Sequence, residues 1–194
     1  MQALIRPLSE LAEYEEIRKH RRDNPGVIQI TGCVNSQKTH MMYALSDGCK
    51  YKVIACSGES KAKQVYEEYK FLDPDTYFYP AKDLLFYQAD IRSKELISQR
   101  MEVHKALLSG EALTVVTSFD AFMDLLLPKE RIRSRVIQIT YDSVIDMEKL
   151  LRELTQIGYD REVQIESPGQ FAVRGGILDI YPLTEELPIR IELW

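Results

Sequence analysis

The feature that most constrains this chain is an alternation between residues 27 and 118 of short apolar, β-branched runs with helical patterns. The runs are VIQI (27–30), YKVIACS (51–57), TYFYP (76–80) and LTVVTS (113–118). Between them lie a helical stretch near 37–46, the segment ESKAKQVYEEYKFL and a long pattern over 90–110 that ends at Gly110; a short helix, FDAFMDLLL, follows the last run. Strands alternating with helices spell βαβ units and a parallel sheet. Their near-continuous apolar character is that of strands covered by helices on both faces.

The grammar changes after Pro128. PKERIRSR is basic and reads as a linker or edge, and RVIQITY (135–141) reads as a strand. Met147, Leu150, Leu151, Leu154 and Ile157 form one apolar stripe on a helix over 146–157. REVQIES, FAVRGGILDIYP and PIRIELW then alternate in the manner of antiparallel strands. The expected fold is therefore an α/β, degenerate P-loop-NTPase-like parallel-sheet domain followed by a small α+β domain with antiparallel strands. Its expected divisions are an N-terminal helix in 1–24, stopped before Pro25, the α/β domain in 25–128 and the α+β domain in 129–194. Because the chain stops at Trp194 inside an apparent strand, it reads as the N-terminal piece of a longer protein.

Composition narrows the function classes. A net charge of −5 argues against broad electrostatic binding of nucleic acid or an anionic membrane. A local basic cluster, Lys129, Arg131, Arg133 and Arg135, motivates a DNA-binding reading, against which stands a solvated linker. Cys33, Cys49 and Cys56 form no CxxC pair and no zinc-ligand spacing, and suit a reducing cytosol. There is no signal-peptide pattern and no apolar run long enough for a membrane span. His20, His40 and His104 lie far apart and read as surface or helix residues. The tyrosines at 66, 69, 77, 79 and 87 read as packing groups with wet hydroxyls.

Two segments carry candidate chemistry. GCVNSQKT (32–39) falls on the pattern G-x-x-x-x-G-K-[ST] at Gly32, Lys38 and Thr39, but Gln37 stands where the second glycine belongs. That glycine lets the backbone approach phosphates, the lysine meets β/γ oxygens and the hydroxyl holds magnesium. No strand ends in Asp-Glu to complete a magnesium site. Nucleotide hydrolysis is thereby disfavoured, while weak anion binding at the helix start stays open.

The second segment is 171–194. In PIRIELW the aliphatics Ile189, Ile191 and Leu193 take one face, and Arg190, Glu192 and the lone Trp194 take the other. In FAVRGGILDIYP the apolar phase slips at Gly175-Gly176, which suggests a bulge or a close backbone approach. If the two strands are neighbours, Arg174, Arg190 and Trp194 share a surface. Arg and Trp are the residue types of interface hot spots. A solvated face, with Trp194 covered by whatever chain follows, accounts for the same pattern.

These residues resemble a known family. DMEKLLRELTQIGYDREVQIESPGQFAVRGGILDIYP, followed by PIRIELW, is similar to the domain-2 signature shared by UvrB and the bacterial transcription-repair coupling factors (Mfd). DLLFYQADIRSKELISQRMEVHKALL resembles the coupling factors more than UvrB. Only Phe86-Tyr87-Gln88 match UvrB's DNA-clamping hairpin, and the defective GCVNSQKT agrees with a coupling-factor module that has lost its ATP site. The resemblance implies a non-catalytic UvrB-like module, cytoplasmic, that recruits UvrA to stalled RNA polymerase for nucleotide excision repair. It implies docking on the C-terminal domains of the same protein, which restrains an ATP-dependent DNA translocase. RNA polymerase and DNA are reached through the parent protein. No cofactor is expected in this piece, ATP and magnesium belonging to the parent's C-terminal motor. Carried over residue by residue, the UvrA-contacting positions fall on Arg174, Arg190 and Trp194. The alternative reading is a UvrB-like P-loop ATPase or helicase fragment acting directly on damaged DNA.

Overall fold

The computed structural model describes residues 5–23, 26–82, 90–124, 126 and 128–193, with side chains from 95 onward in the long helix that begins at 90. A 3-10 turn (Arg6–Glu10) opens the chain. Helices α1 (Ala12–Asp23), α2 (Asn35–Leu45), α3 (Glu59–Leu72), α4 (Asp90–Ser109), α5 (Phe119–Phe122), α6 (Lys129–Arg133) and α7 (Met147–Gln156) follow in order. The strands are β1 (Tyr51–Cys56), β2 (Thr76–Tyr79), β3 (Leu113–Ser118), β4 (Asp160–Arg161), β5 (Gln170–Arg174), β6 (Ile177–Tyr181) and β7 (Ile189–Glu192). They form two separate sheets. One is parallel with order β1-β3-β2, and the other is mixed with order β4-β5-β6-β7.

The strand order explains the helix placement. From β1 the chain steps over the later β3 to β2, then returns to β3. Crossovers of one hand running in opposite directions put their helices on opposite faces. Ala62 and Val65 of α3 pack with Val116, Ile54 and Phe78 on one face. Val103 of α4 and Ala121 of α5 pack with Tyr79, Tyr77 and Val115 on the other. Successive residues of β2 and β3 thus point to different cores, which is why these strands read as unbroken apolar runs. At the mouth of the sheet Asp73 accepts from Lys52 (2.9 Å) and from the Thr114 hydroxyl (2.8 Å). Burial raises its carboxyl, and these hydrogen bonds more than offset that, leaving it below the ordinary carboxylate value.

The mixed sheet has its own core. Phe171, Leu178, Leu150 and Leu154 are buried together, with Val173, Ile180 and Ile191 against them. The Asp146 side chain accepts from the Lys149 amide (3.0 Å) and so caps α7, whose apolar stripe lies on the sheet. Among the described residues, α4 and the loop after β6 bridge the two sheets. Ser98 Oγ donates to the Leu183 carbonyl, and Lys105 pairs with Glu185 at 2.8 Å.

Several expectations are corrected. VIQI (27–30) forms no strand; Val27 is 99% exposed. A β-branched run becomes a strand only where a neighbouring edge receives it. RVIQITY is also unpaired, although Ile137 and Ile139 reach the C-terminal core. Alternate residues of an extended segment can bury themselves without a ladder. Of REVQIES only Arg161 lies in a strand, the two-residue β4 (Asp160–Arg161), and that strand runs parallel to β5. FAVRGGILDIYP is two strands, not one bulged strand. Arg174 pairs with Ile177 across a two-residue loop in which Gly175 has φ +62°, the left-handed value a primed hairpin turn needs. The apparent phase slip is the hairpin itself. The polar N-terminal helix begins as the 3-10 turn and continues as α1.

Candidate functional site

The loop before α2 has the letters of a phosphate loop but other contacts. Gly32 has φ +85°, and a Cβ placed there would meet nothing within 4 Å, so the glycine serves a turn rather than a close approach. Gln37 Oε1 accepts from the Val34 amide (3.3 Å), closing the first turn of α2 from within. Thr39 is buried, and its hydroxyl donates to Glu68 Oε2 at 2.8 Å on α3. Lys38 is exposed. No described strand leads into the loop, so it does not sit at the carboxyl end of a sheet strand. The residues do not fit a bound Mg-ATP: the amide cap is filled by Gln37, and the hydroxyl that would hold magnesium is committed to a carboxylate. Millimolar Mg-ATP is expected to leave the thermal midpoint unchanged. A rise above about 2 °C that disappears in Lys38→Ala, followed by differential scanning fluorimetry, would contradict this.

The face of the mixed sheet away from α7 is built by register. Ala172, Asp179 and Arg190 lie directly opposite one another across β5, β6 and β7, and Arg174, Ile177 and Glu192 form the next row. Opposed residues of antiparallel strands share a face, so Arg174 and Arg190 point to the same side. The sequence reading left open whether FAVRGGILDIYP and PIRIELW are neighbours; the second half of the former, β6, pairs with β7 and so stands between Arg174 and Arg190. Two interstrand spacings and a two-residue offset put their Cα atoms about 12 Å apart, within reach of two long side chains converging on the residue between. Trp194 lies outside the described residues, as does Phe86-Tyr87-Gln88.

That intermediate residue is Asp179, which the sequence analysis did not single out. Arg190 Nε and Nη2 donate to its two carboxylate oxygens at 2.6 and 3.0 Å. The Arg190 side chain is 60% exposed and that of Asp179 only 17%. The hydrogen bonds from Arg190, with a smaller contribution from the charge of Arg174, hold the Asp179 carboxyl below the ordinary value. Arg174 Nη2 donates to the Val163 carbonyl at 3.0 Å. Each guanidinium is thus anchored on its own chain through some of its five N–H groups, and the rest have no partner among the described residues. With Asp179 and Glu192 beside the two arginines the face is charge-balanced, so directional hydrogen bonding rather than bulk attraction is what it offers. The pairing was legible only in part. Alternation puts Asp179 outward, but its partner depends on the hairpin register.

Other candidates resolve differently. Arg131 and Arg133 lie exposed on the short α6 beside Glu130. His104 is half-buried edge-on to Tyr79, its basicity lowered by burial and by Arg100. Tyr69 is fully buried and its hydroxyl meets Ser46 Oγ at 3.0 Å, so it is not wet as expected. Among the described residues no group of three His, Cys, Asp or Glu side chains could hold a metal, and no helix is long and apolar enough to cross a membrane.

Residues 137–194 match the family model of the UvrB interaction domain. The chain is 38% identical over 122 residues to a transcription-repair-coupling factor of Bacillus subtilis, covering 63% of this chain and 10% of that protein. It is 33% identical over 122 residues to one of Staphylococcus epidermidis, and 32% over 126 residues to one of Staphylococcus aureus. The matched stretch is about a tenth of the length of these relatives.

Proposed function

We propose, for a chain that carries a UvrB interaction domain over residues 137–194 and is a relative of the transcription-repair coupling factors, that it is a recruitment module without catalytic chemistry of its own. Its C-terminal part, residues 129–194, binds UvrA. Its 25–128 part is a UvrB-like α/β body whose phosphate loop no longer serves nucleotide. In the parent protein, an ATP-driven DNA translocase acting on stalled RNA polymerase, the same module docks on the C-terminal domains and restrains them.

The observation that carries this reading is the placement of Arg174 and Arg190 on one outward face of the matched domain, each anchored and each with N–H groups to spare. Guanidiniums held in this way suit bidentate recognition of partner carboxylates. Trp194, the third position of the resemblance, supplies the aromatic anchor in the proposal. The engagement of Thr39 with Glu68 supports a structural role for the former loop.

Calorimetric titration of the chain with UvrA tests the proposal. Saturable one-site binding is expected. Absence of binding at concentrations of tens of micromolar, with a folded chain, would overturn it.

A further inference from the structure

We infer that Asp179 is a positioning residue of the partner-binding face: it holds the Arg190 guanidinium in place so that the group's remaining N–H edge is presented, ready-made, to a carboxylate of the partner. The inference rests on the UvrA-binding reading and deepens it.

The geometry decides between three roles for this carboxylate. A purely structural salt bridge would not favour a partner whose side chain is mostly in water, because such pairs contribute little to folding. Arg190 is that partner. A competitor that must be displaced would cover the edge of the guanidinium that faces outward. Asp179 instead takes Nε and one Nη2 hydrogen from the side, and among the described residues no hydrogen bond is made by the Nη1 hydrogens or the other one on Nη2. Side-on pairing of this kind leaves a second face of the fork open to another acceptor. The remaining role is positioning. An unrestrained arginine has several rotatable bonds, and ordering it on binding costs a measurable part of the affinity. Asp179 meets that cost beforehand, because it stands on the middle strand of the antiparallel three, directly opposite Arg190, and its own carboxylate is largely shielded. The charge of Arg174 also acts on Asp179, so the carboxylate keeps two neighbouring cations from repelling each other as they converge.

A double-mutant cycle tests this. Asp179→Ala is expected to weaken UvrA binding about 3- to 10-fold in the parent sequence, and to change nothing further in an Arg190→Ala background. In the free chain the Arg190 Nε–H resonance should be ordered on the nanosecond scale by ¹⁵N relaxation and become mobile in Asp179→Ala. Tighter binding by Asp179→Ala would make the carboxylate a competitor and overturn the inference. Equal losses in both backgrounds with an unchanged Arg190 resonance would make it structural and overturn it as well. If the parent chain fails to bind UvrA, the functional reading falls, while the relaxation measurement still decides whether Asp179 orders Arg190. Thermal unfolding identifies a variant that has lost the sheet; in that event Asp179→Asn, which keeps the shape and removes the charge, carries the same cycle.

Discussion

The double variant Arg174→Ala, Arg190→Ala is expected to bind UvrA more than 100-fold more weakly than the parent chain, with its fold intact. Truncating one member of a buried, hydrogen-bonded charge pair at an interface typically costs a factor of about 30 or more, much of it from the partner carboxylate left unpaired. The two losses need not add, because both side chains bear on Asp179 and share a surface. Folding should change little. Arg190 is exposed and its removal leaves Asp179 at a surface water can reach, while Arg174 gives up one bond to a loop carbonyl. Arg190→Lys is not a conservative control, since an ammonium cannot bridge both oxygens of Asp179 and face a second acceptor in one plane. The Asp179 carboxyl titrates below its ordinary value. Its contribution is therefore fully present above the unfolded-state pKa, and is lost only as pH falls through the lower folded-state value. Affinity should accordingly be insensitive to Asp179 between pH 6 and 8. Isothermal titration with the single and double variants measures all of this. A double variant that binds like the parent would remove the arginines from the site.

What could be read without coordinates, and what could not, follows from the kind of information each pattern holds. Apolar runs with helices between them announced the parallel sheet, because burial on both faces leaves its mark along β2 and β3, while the edge strand β1 alternates exposed and half-buried residues. The stripe on α7 announced its partner sheet for the same reason. Pairing is a different matter. VIQI and RVIQITY have strand composition but no ladder, because a strand exists only with an edge beside it, and an edge is a tertiary fact. At Gly175-Gly176 the sequence displayed a change of phase. A bulge and a hairpin both produce one, and only chain reversal tells them apart. The site was legible to the same depth. Period-2 alternation put Arg174 and Arg190 outward, whereas Asp179 as their common neighbour required the register of β5, β6 and β7. The loop at 32–39 shows the converse. Its letters at Gly32, Lys38 and Thr39 suggest chemistry that the contacts of Gln37 and Thr39 have redirected inward.

Phe171→Ala is the substitution expected to cost most. Phe171 is fully buried, pairs with Ile180 on β6, and packs in the cluster that includes Leu150, Leu154 and Leu178. Its carbonyl accepts from the Glu162 amide at 2.8 Å, so the same residue also ties the loop after β4 to β5. Removing a buried phenyl ring from such a cluster costs about 3–5 kcal/mol, from lost transfer energy and the cavity left behind. A small unit has little reserve against that loss, since whole domains are stable by only about 5–15 kcal/mol. The consequence for function is specific. Arg174 and Arg190 sit on the opposite side of the strands that Phe171 anchors, so UvrA binding should fall with the folded fraction of the mixed sheet, although Phe171 is not on the binding face. Hydrogen exchange separates this from collapse of the whole chain. Amides of β5, β6 and β7 should lose protection, while those of β1 and β3, supported by their own buried Val116 and Ala62, should keep it. Loss of protection in both sheets together would mean that the bridge through Ser98, Lys105, Leu183 and Glu185 couples them into one cooperative unit.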